Sequence, residues 1–193
     1  MHYEAIDKFQ SLTPLGQKMA KIPLHPQLSK MVIMSVIFKC LEPILNIAIV
    51  LNDKDVFELK NKRESFKIHV AKQNFCQKSA SDHLLYANLI RDWEAITAND
   101  GIAKNIPMEY DKIMRNNCLN ERVLTEMIEV KAHLKAKLKN IHLLIEGEQS
   151  ANVNSDNEEL IKGVITSGLC PQIGKKEKKL SKRLWTQVAN KGK

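Results

Sequence analysis

Apolar side chains recur every three or four residues along most of the chain, which is the period of an amphipathic α-helix. The longest such stripe lies within residues 121–145, and a second follows residue 82 and includes Trp93. The pattern predicts a mainly α-helical chain in which Trp93 is a core residue rather than a stacking platform. The predicted core positions of the two stripes are Val123, Met127, Val130, Leu134, Leu138, Ile141 and Ile145, and Leu85, Leu89, Trp93 and Ile96.

The segment Met31–Leu51 is almost continuously apolar and has the length of a membrane span, which takes about 20 residues. It is interrupted by Lys39, Glu42 and Pro43. Proline costs about 3 kcal/mol inside a helix but fits its first turn. We therefore expect two short buried helices, near 27–40 and 43–51, and no membrane role.

Helix starts are marked by capping residues. Thr13 followed by Pro14 predicts an N-cap and a first helical residue for a helix over Leu15–Ile22. Ser79-x-x-Asp82 has the form of a capping box.

Later in the chain, Asn120 is expected to cap the long helix, after a short helix near 109–115. A last helix over Asn157–Ser167 is expected to end at Gly168 in the left-handed conformation.

A helix over Lys62–Phe75 is expected to turn Phe66, Val70 and Phe75 inward. Its other face is basic and, with the residues flanking the helix, carries the candidate nucleic-acid-binding residues Lys72 and Lys78. That basic surface comprises Lys60, Lys62, Arg63, Lys67, Lys72 and Lys78.

Composition agrees with a helical domain, since the 193 residues include only 7 Gly and 6 Pro, and 44% are hydrophobic. The net charge is +8, and residues 171–193 supply most of it with eight Lys or Arg against one acid. Such a block is typical of a nucleic-acid arm, a nuclear address or a solvated tail.

The four cysteines, which are far apart, form no zinc motif. Cys40 and Cys170 lie among apolar residues, where a thiol behaves as a small hydrophobe. Since the N-terminus has no secretory signal, a reducing compartment, cytoplasm or nucleus, is expected.

The sequence has no phosphate-binding loop, nucleophile elbow or metalloprotease motif, so no catalytic residue and no metal site are predicted. Asp82-His83 could be an acid that orients a base, but a helix-start role is favoured.

A second candidate binding surface is the row Lys131, Lys135 and Lys139, which repeats every four residues. Like charges at this spacing repel by about 0.2–0.5 kcal/mol per pair, so the row indicates an anionic partner. The alternative is that lysines simply suit the C-terminal half of a helix, where they complement its dipole. Because no aromatics are interleaved with either basic surface, contacts to phosphate rather than base stacking are expected.

Several spaced motifs resemble the C-terminal region of DEAH-box RNA helicases, closest to the RNA helicase A-like branch. There a winged helix passes into a helical ratchet (helicase-associated) domain. The match runs over roughly residues 10–174, and its most specific part is Ser81-Asp82-His83-Leu84 with Trp93 downstream. The motifs are Leu12-Thr13-Pro14-Leu15-Gly16, Ala20, Pro23-Leu24, Pro26, Lys30-Met31, Cys40-Leu41, Ile47-Ala48, Leu51, Cys118-Leu119-Asn120, Leu124, Leu134 and Gly168-Leu169-x-Pro171.

The resemblance implies a partial winged helix over 1–26, a ratchet domain over 27–170, and a basic tail over 171–193 where an oligonucleotide-binding (OB) fold would start. The family's two motor domains are absent. His25 stands where the family commonly has an acid, and Lys131 where it often has Arg. The chain is therefore expected to be a truncated part of such a helicase, with ATP and Mg²⁺ acting only through the missing motor.

The function implied is an auxiliary module that guides single-stranded RNA through its backbone phosphates. The alternative is a helical interaction module that docks on a helicase motor or another protein without binding nucleic acid.

Overall fold

A computed structural model describes residues 4–52, 55–57, 64–75, 81–99, 118–144, 147–171, 174–176 and 184–186. The described part is mainly helical, which confirms the predicted fold class. Its helices are α1 (Pro14–Met19), α2 (Pro26–Ile37), α3 (Leu41–Asn52), α4 (Glu64–Phe75), α5 (Asp82–Asn99), α6 (Glu121–Asn140) and α7 (Glu158–Leu169), with a 3₁₀ turn at Ser150–Asn152.

The basic tail contains a short antiparallel pair that the sequence pattern did not predict. Strand β1 (Gly174–Lys176) pairs with β2 (Leu184–Thr186), and Lys175 lies opposite Trp185. The predicted domain boundaries at residues 26 and 170 stay predictions.

Helix α3 lies at the centre of the fold. It contacts α2, α5, α6 and α7, and this is why Leu41 and every residue from Ile44 to Val50 are buried, all of them apolar except Asn46. The predicted pair of buried helices is therefore confirmed, with Pro43 in the first turn of α3 as expected. None of the helices in the described ranges is both long enough and apolar enough to cross a membrane.

Two of the predicted N-caps, Thr13 and Asn120, are also confirmed. Thr13 Oγ1 accepts a hydrogen bond from the Gly16 amide at 3.0 Å and donates one to the Glu4 carbonyl at 2.7 Å. A Cβ on Gly16 would lie 2.0 Å from the Ala5 carbonyl oxygen, so only glycine at this position allows the backbone at Ala5 to approach α1. Asn120 caps α6 by accepting from the Val123 amide at 3.2 Å.

The expected role of Gly168 was wrong. Gly168 lies inside α7, where a Cβ would come within 2.5 Å of the Met31 Cβ on α2. The residue is small because two helices pack closely there, and Cys170 follows as the C-cap in an extended conformation.

The inward face predicted for α4 was wrong as well. Phe66 is 72% exposed and Val70 37% exposed, whereas Ile68 is buried. Contact with α5 selects the face that carries Ile68, because the neighbouring helix decides which side is covered. The Phe75 side chain lies outside the described part of the structure.

The other stripes are largely confirmed: Met127, Leu134, Leu138, Leu85, Leu89 and Trp93 are buried, although Val130 is 39% exposed. Helix α6 ends at Asn140, earlier than predicted, since His142 takes a left-handed φ of 55°. The Ile96 side chain, Ile145, Ser79 and the helix predicted near 109–115 lie outside the described residues.

The two cysteines that were expected in apolar surroundings differ in burial. Cys40 is buried, and burial raises the pKa of its thiol to about 11. Cys170 is exposed, which corrects its predicted apolar setting, because it follows the last turn of α7 at the surface.

Candidate functional site

The lysine row on α6 begins with a buried cation. Lys131 is 2% exposed, and its Nζ lies 2.6 Å from Glu42 Oε2 on α3 and 2.6 Å from Glu94 Oε2 on α5. A buried ammonium stays charged only when carboxylates offset its lost hydration. Lys131 therefore joins three helices through one charge.

The next two lysines extend the same cluster. Lys135 pairs with Glu42 and, at 3.2 Å, with Glu148. Lys139, which is 54% exposed, pairs with Glu148 at 2.7 Å. Three lysines thus face three glutamates, a set we name the lysine–glutamate network (Lys131, Lys135, Lys139, Glu42, Glu94 and Glu148).

The pKa values of the network follow from this pairing. Burial raises the pKa of Glu42, but hydrogen bonds from Lys131 and Lys135 outweigh it, and the pKa is lowered overall. Hydrogen bonds from Lys139 and Lys135 lower the pKa of Glu148. Burial lowers the pKa of Lys135, but its bonds to Glu42 and Glu148 raise it overall. Each of these three groups is therefore held in its charged form.

The anionic partner that this row indicates is thus found inside the protein. The expectation that Lys131 offers a surface cation was wrong, because its side chain is enclosed between α3, α5 and α6. Phosphate contact by Lys135 or Lys139 stays a prediction, although their ammonium groups are already paired with glutamates.

Lys72, the candidate on α4, is also engaged within the protein. Its Nζ donates to the Tyr86 hydroxyl at 2.9 Å and lies 3.5 Å from Asp55 Oδ2. The same ammonium lies 4.8 Å from the centre of the Phe57 ring and 5.3 Å from that of Tyr86, a cation–π geometry. Burial lowers the Lys72 pKa, but Tyr86 and Asp55 raise it overall. Lys72 fastens α4 to α5 and to residues 55–57.

Three further residues of the predicted motif, Ser81, Asp82 and His83, lie at the start of α5. Ser81 precedes α5, and its carbonyl accepts the Leu85 amide at 3.1 Å. Asp82 is the exposed first residue of that helix, and His83 is half-buried beside it. In the described ranges, no hydrogen bond joins Asp82 to His83, and the helix-start role of the pair stays a prediction. Lys78 lies outside the described residues.

The structure also brings into the site residues that the sequence pattern did not indicate. Glu42, Glu94 and Glu148 are far apart in the chain, and only Glu42 gave a signal, as an acid within an apolar segment. Beside Lys131 lies a cleft of about 450 Å³ between α3, α5, α7 and the loop before α7. Asn46 on α3 lines this cleft and is 2% exposed.

Metal-ligating side chains do not cluster in the described ranges: no group of three or more His, Cys, Asp or Glu is placed to hold an ion. The arrangement at the network is that of fixed, paired charges and a polar cleft.

Sequence comparison matches two parts of the chain to helicase-associated family models. Residues 2–24 match the winged-helix part of the helicase associated domain (HA2), and residues 25–86 match its ratchet-like part. The chain is homologous over nearly its whole length to a region of DEAH-box helicases.

Three relatives illustrate the similarity. The ATP-dependent DNA/RNA helicase DHX36 of Rattus norvegicus is 31% identical over 191 residues, which cover 95% of this chain and 18% of the relative. The ATP-dependent RNA helicase DHX30 of Rattus norvegicus is 30% identical over 87% of this chain and 14% of the relative. The DExH-box ATP-dependent RNA helicase DExH3 of Arabidopsis thaliana is 27% identical over 88% and 13%. The chain therefore spans less than a fifth of the length of these helicases.

Proposed function

We propose that this chain is an accessory module of an ATP-dependent RNA helicase and contacts single-stranded RNA through backbone phosphates. The observation that supports it is the order of the two helicase-associated matches, winged helix before ratchet, within homology that covers 95% of the chain. ATP and Mg²⁺ belong, in this proposal, to a motor domain outside the 193 residues, and the chain needs no cofactor of its own.

The proposal assigns phosphate contact first to cations that have no internal partner. Lys67 on α4 and Lys137 on α6 are exposed, and in the described ranges neither has a carboxylate within 4 Å. Lys139 is half-exposed and can serve in addition. The internally paired Lys131 and Lys72 act as supports for the helices that carry these cations.

Fluorescence anisotropy with labelled single-stranded RNA tests the proposal at about 50 mM and about 200 mM salt. A Lys67→Glu, Lys137→Glu double variant should bind more weakly, and the slope of log affinity against log salt should fall by about 0.7 for each phosphate that is no longer neutralised. Lys162→Glu is the control for a single reversal, because Lys162 is already paired with Glu158 and Glu159.

Two results would defeat this proposal: no affinity for RNA at the lower salt concentration, or an affinity that does not change with salt. Reversal of Lys131 is unsuitable as a test, since a glutamate there would meet Glu42 and Glu94 in a buried site and unfold the bundle.

A second candidate function, protein docking, is favoured by an exposed apolar cluster. Ile37 is 64%, Phe38 45% and Val153 70% exposed. Asn154 connects the two segments, because its amide donates to the Lys39 carbonyl at 2.8 Å and its side chain to the Phe38 carbonyl at 2.9 Å. Exposed apolar clusters of this kind mark interaction sites.

An Ile37→Ser, Phe38→Ser double variant separates the two functions. If the apolar cluster is a docking surface, this variant should no longer capture a separately expressed helicase motor domain. Its affinity for RNA should be unchanged. If capture is unchanged in the variant, the apolar cluster is not the docking surface.

A further inference from the structure

The cleft beside Lys131 contains a buried acceptor that lacks a donor. Asn46 Nδ2 donates to the Ala87 carbonyl at 3.0 Å, which fixes the orientation of the side-chain amide. Asn46 Oδ1 is fully buried and accepts no hydrogen bond from the residues that the structure describes. An unsatisfied buried acceptor costs about 1–3 kcal/mol, so this atom favours a ligand that donates a hydrogen bond.

The charge around the cleft favours a cation. Its lining includes four carboxylates and two cationic side chains, Arg91 and Lys131. Lys131 is already bound to Glu42 and Glu94, Lys135 also pairs with Glu42, and Lys162 pairs with Glu158. Within the described ranges Asp156 has no cation within 4 Å, so it is the carboxylate left for a ligand. The four carboxylates belong to Glu42, Glu94, Asp156 and Glu158.

The cleft also offers apolar surface along one side. Pro43, Leu84, Ala87 and Ile161 belong to its lining. Such surface suits the methylene stem of a long cationic side chain whose charged end lies among polar groups. A phosphate or a carboxylate would be repelled by the unpaired Asp156 carboxylate.

We propose that this cleft binds the guanidinium group and methylene stem of an arginine side chain. The guanidinium is planar, always charged and carries five N–H donors, so it supplies both the donor that Asn46 Oδ1 lacks and a positive charge for the unpaired Asp156 carboxylate. The site is separate from the phosphate-contacting cations, and its test does not depend on RNA binding.

The test titrates the full ¹⁵N-labelled chain with a Gly-Arg-Gly peptide blocked at both ends, and follows the Asn46 side-chain amide by NMR. Gly-citrulline-Gly is the matched neutral peptide, because citrulline keeps the shape and loses the charge. We expect shifts at Asn46 with the arginine peptide and an affinity about tenfold lower for citrulline, the loss of one charge-assisted bond.

Paired variants locate the contact. Asp156→Asn should weaken binding of the arginine peptide about tenfold, whereas Glu159→Gln should leave it unchanged. Both positions are exposed, and only Asp156 lines the cleft, so each variant is expected to keep the helical circular dichroism spectrum of the parent.

Four results would overturn the proposal. These are no shift at Asn46, equal binding of citrulline or of a Gly-Lys-Gly peptide, unchanged affinity in Asp156→Asn, and preferential binding of uridine monophosphate.

Discussion

At the scale of single residues, Lys131 shows that the position of a lysine in the fold decides whether its charge is available to a partner. Its neighbours in the row, four and eight residues on, lie progressively nearer the surface: Lys131 is buried, Lys135 half-buried and Lys139 exposed. The same residue type at the same helical spacing thus ranges from an enclosed ion-pair centre to a surface cation. The difference arises because only Lys131 lies between α3 and α5, where it pairs with both Glu42 and Glu94, whereas Lys135 pairs with Glu42 and Glu148 and Lys139 with Glu148.

Replacement of Lys131 by Met should be strongly destabilising. It leaves the carboxylates of Glu42 and Glu94 close together with one of their cations removed, and loss of one partner of a buried pair costs about 3 kcal/mol. Urea unfolding followed by circular dichroism measures the change.

Lys137→Met, an exposed position on the same helix, is the control and should change the free energy of unfolding by less than about 0.5 kcal/mol. If both variants lost the same free energy of unfolding, the buried ion pairs of Lys131 would not be a source of stability.

The depressed pKa values of Glu42 and Glu148 predict a loss of stability in acid. A carboxyl whose pKa is lower in the folded state stabilises that state above its usual pKa, here 4.5. This stabilisation is lost as the pH falls through the folded-state value.

We therefore expect the free energy of unfolding to fall between neutral pH and about pH 3, and to fall less in Glu148→Gln, which lacks one of the titrating groups. Unfolding curves at several pH values check this expectation. An identical pH dependence in the parent and the variant would show that Glu148 does not contribute to the loss of stability in acid.

At the scale of elements, the contact of α7 with α2 depends on one missing side chain. Gly168→Ala should cost about 1–3 kcal/mol, because the new methyl group would overlap Met31 at 2.5 Å.

Gly163→Ala is the matched control on the same helix, where a Cβ meets nothing within 4 Å. There alanine should stabilise the protein by up to about 1 kcal/mol through its helix propensity. Thermal unfolding of the two variants should give shifts of opposite sign, and shifts of the same sign would contradict the close approach of α2 and α7.

At the scale of the whole molecule, the charge is unevenly divided. Residues 1–170 are nearly neutral, with 22 basic and 21 acidic residues, and the tail carries the excess. Within the bundle, part of the positive charge is further offset by the lysine–glutamate network, so the tail supplies most of the long-range attraction for a polyanion.

Replacement of the tail cations by Gln should therefore lower the salt dependence of RNA binding more than the Lys67→Glu, Lys137→Glu variant does. If each of the six substituted cations neutralises one phosphate of a single strand, their removal reduces the slope by about 4, and anisotropy titrations measure it. An unchanged slope would identify the tail as a solvated segment. The substituted residues are Lys175, Lys176, Lys178, Lys179, Lys182 and Arg183.

Some elements of the fold were predictable from the sequence and others were not. Helix α3 was predictable because an apolar run with a proline near its start has few other solutions, and the caps at Thr13 and Asn120 depend only on neighbours along the chain. The exposed face of α4 was not predictable, since Phe66 and Ile68 are both apolar and only contact with α5 selects between them.

The sequence by itself determined that the chain is helical, where most helices begin, and which family its ordered motifs resemble, because these depend on local periodicity and capping. Only the tertiary structure decided which charges are available to a partner. Glu42, Glu94 and Glu148 are more than 100 positions apart from first to last, and Coulomb attraction acts on distance in space, which the order of residues along the chain does not give.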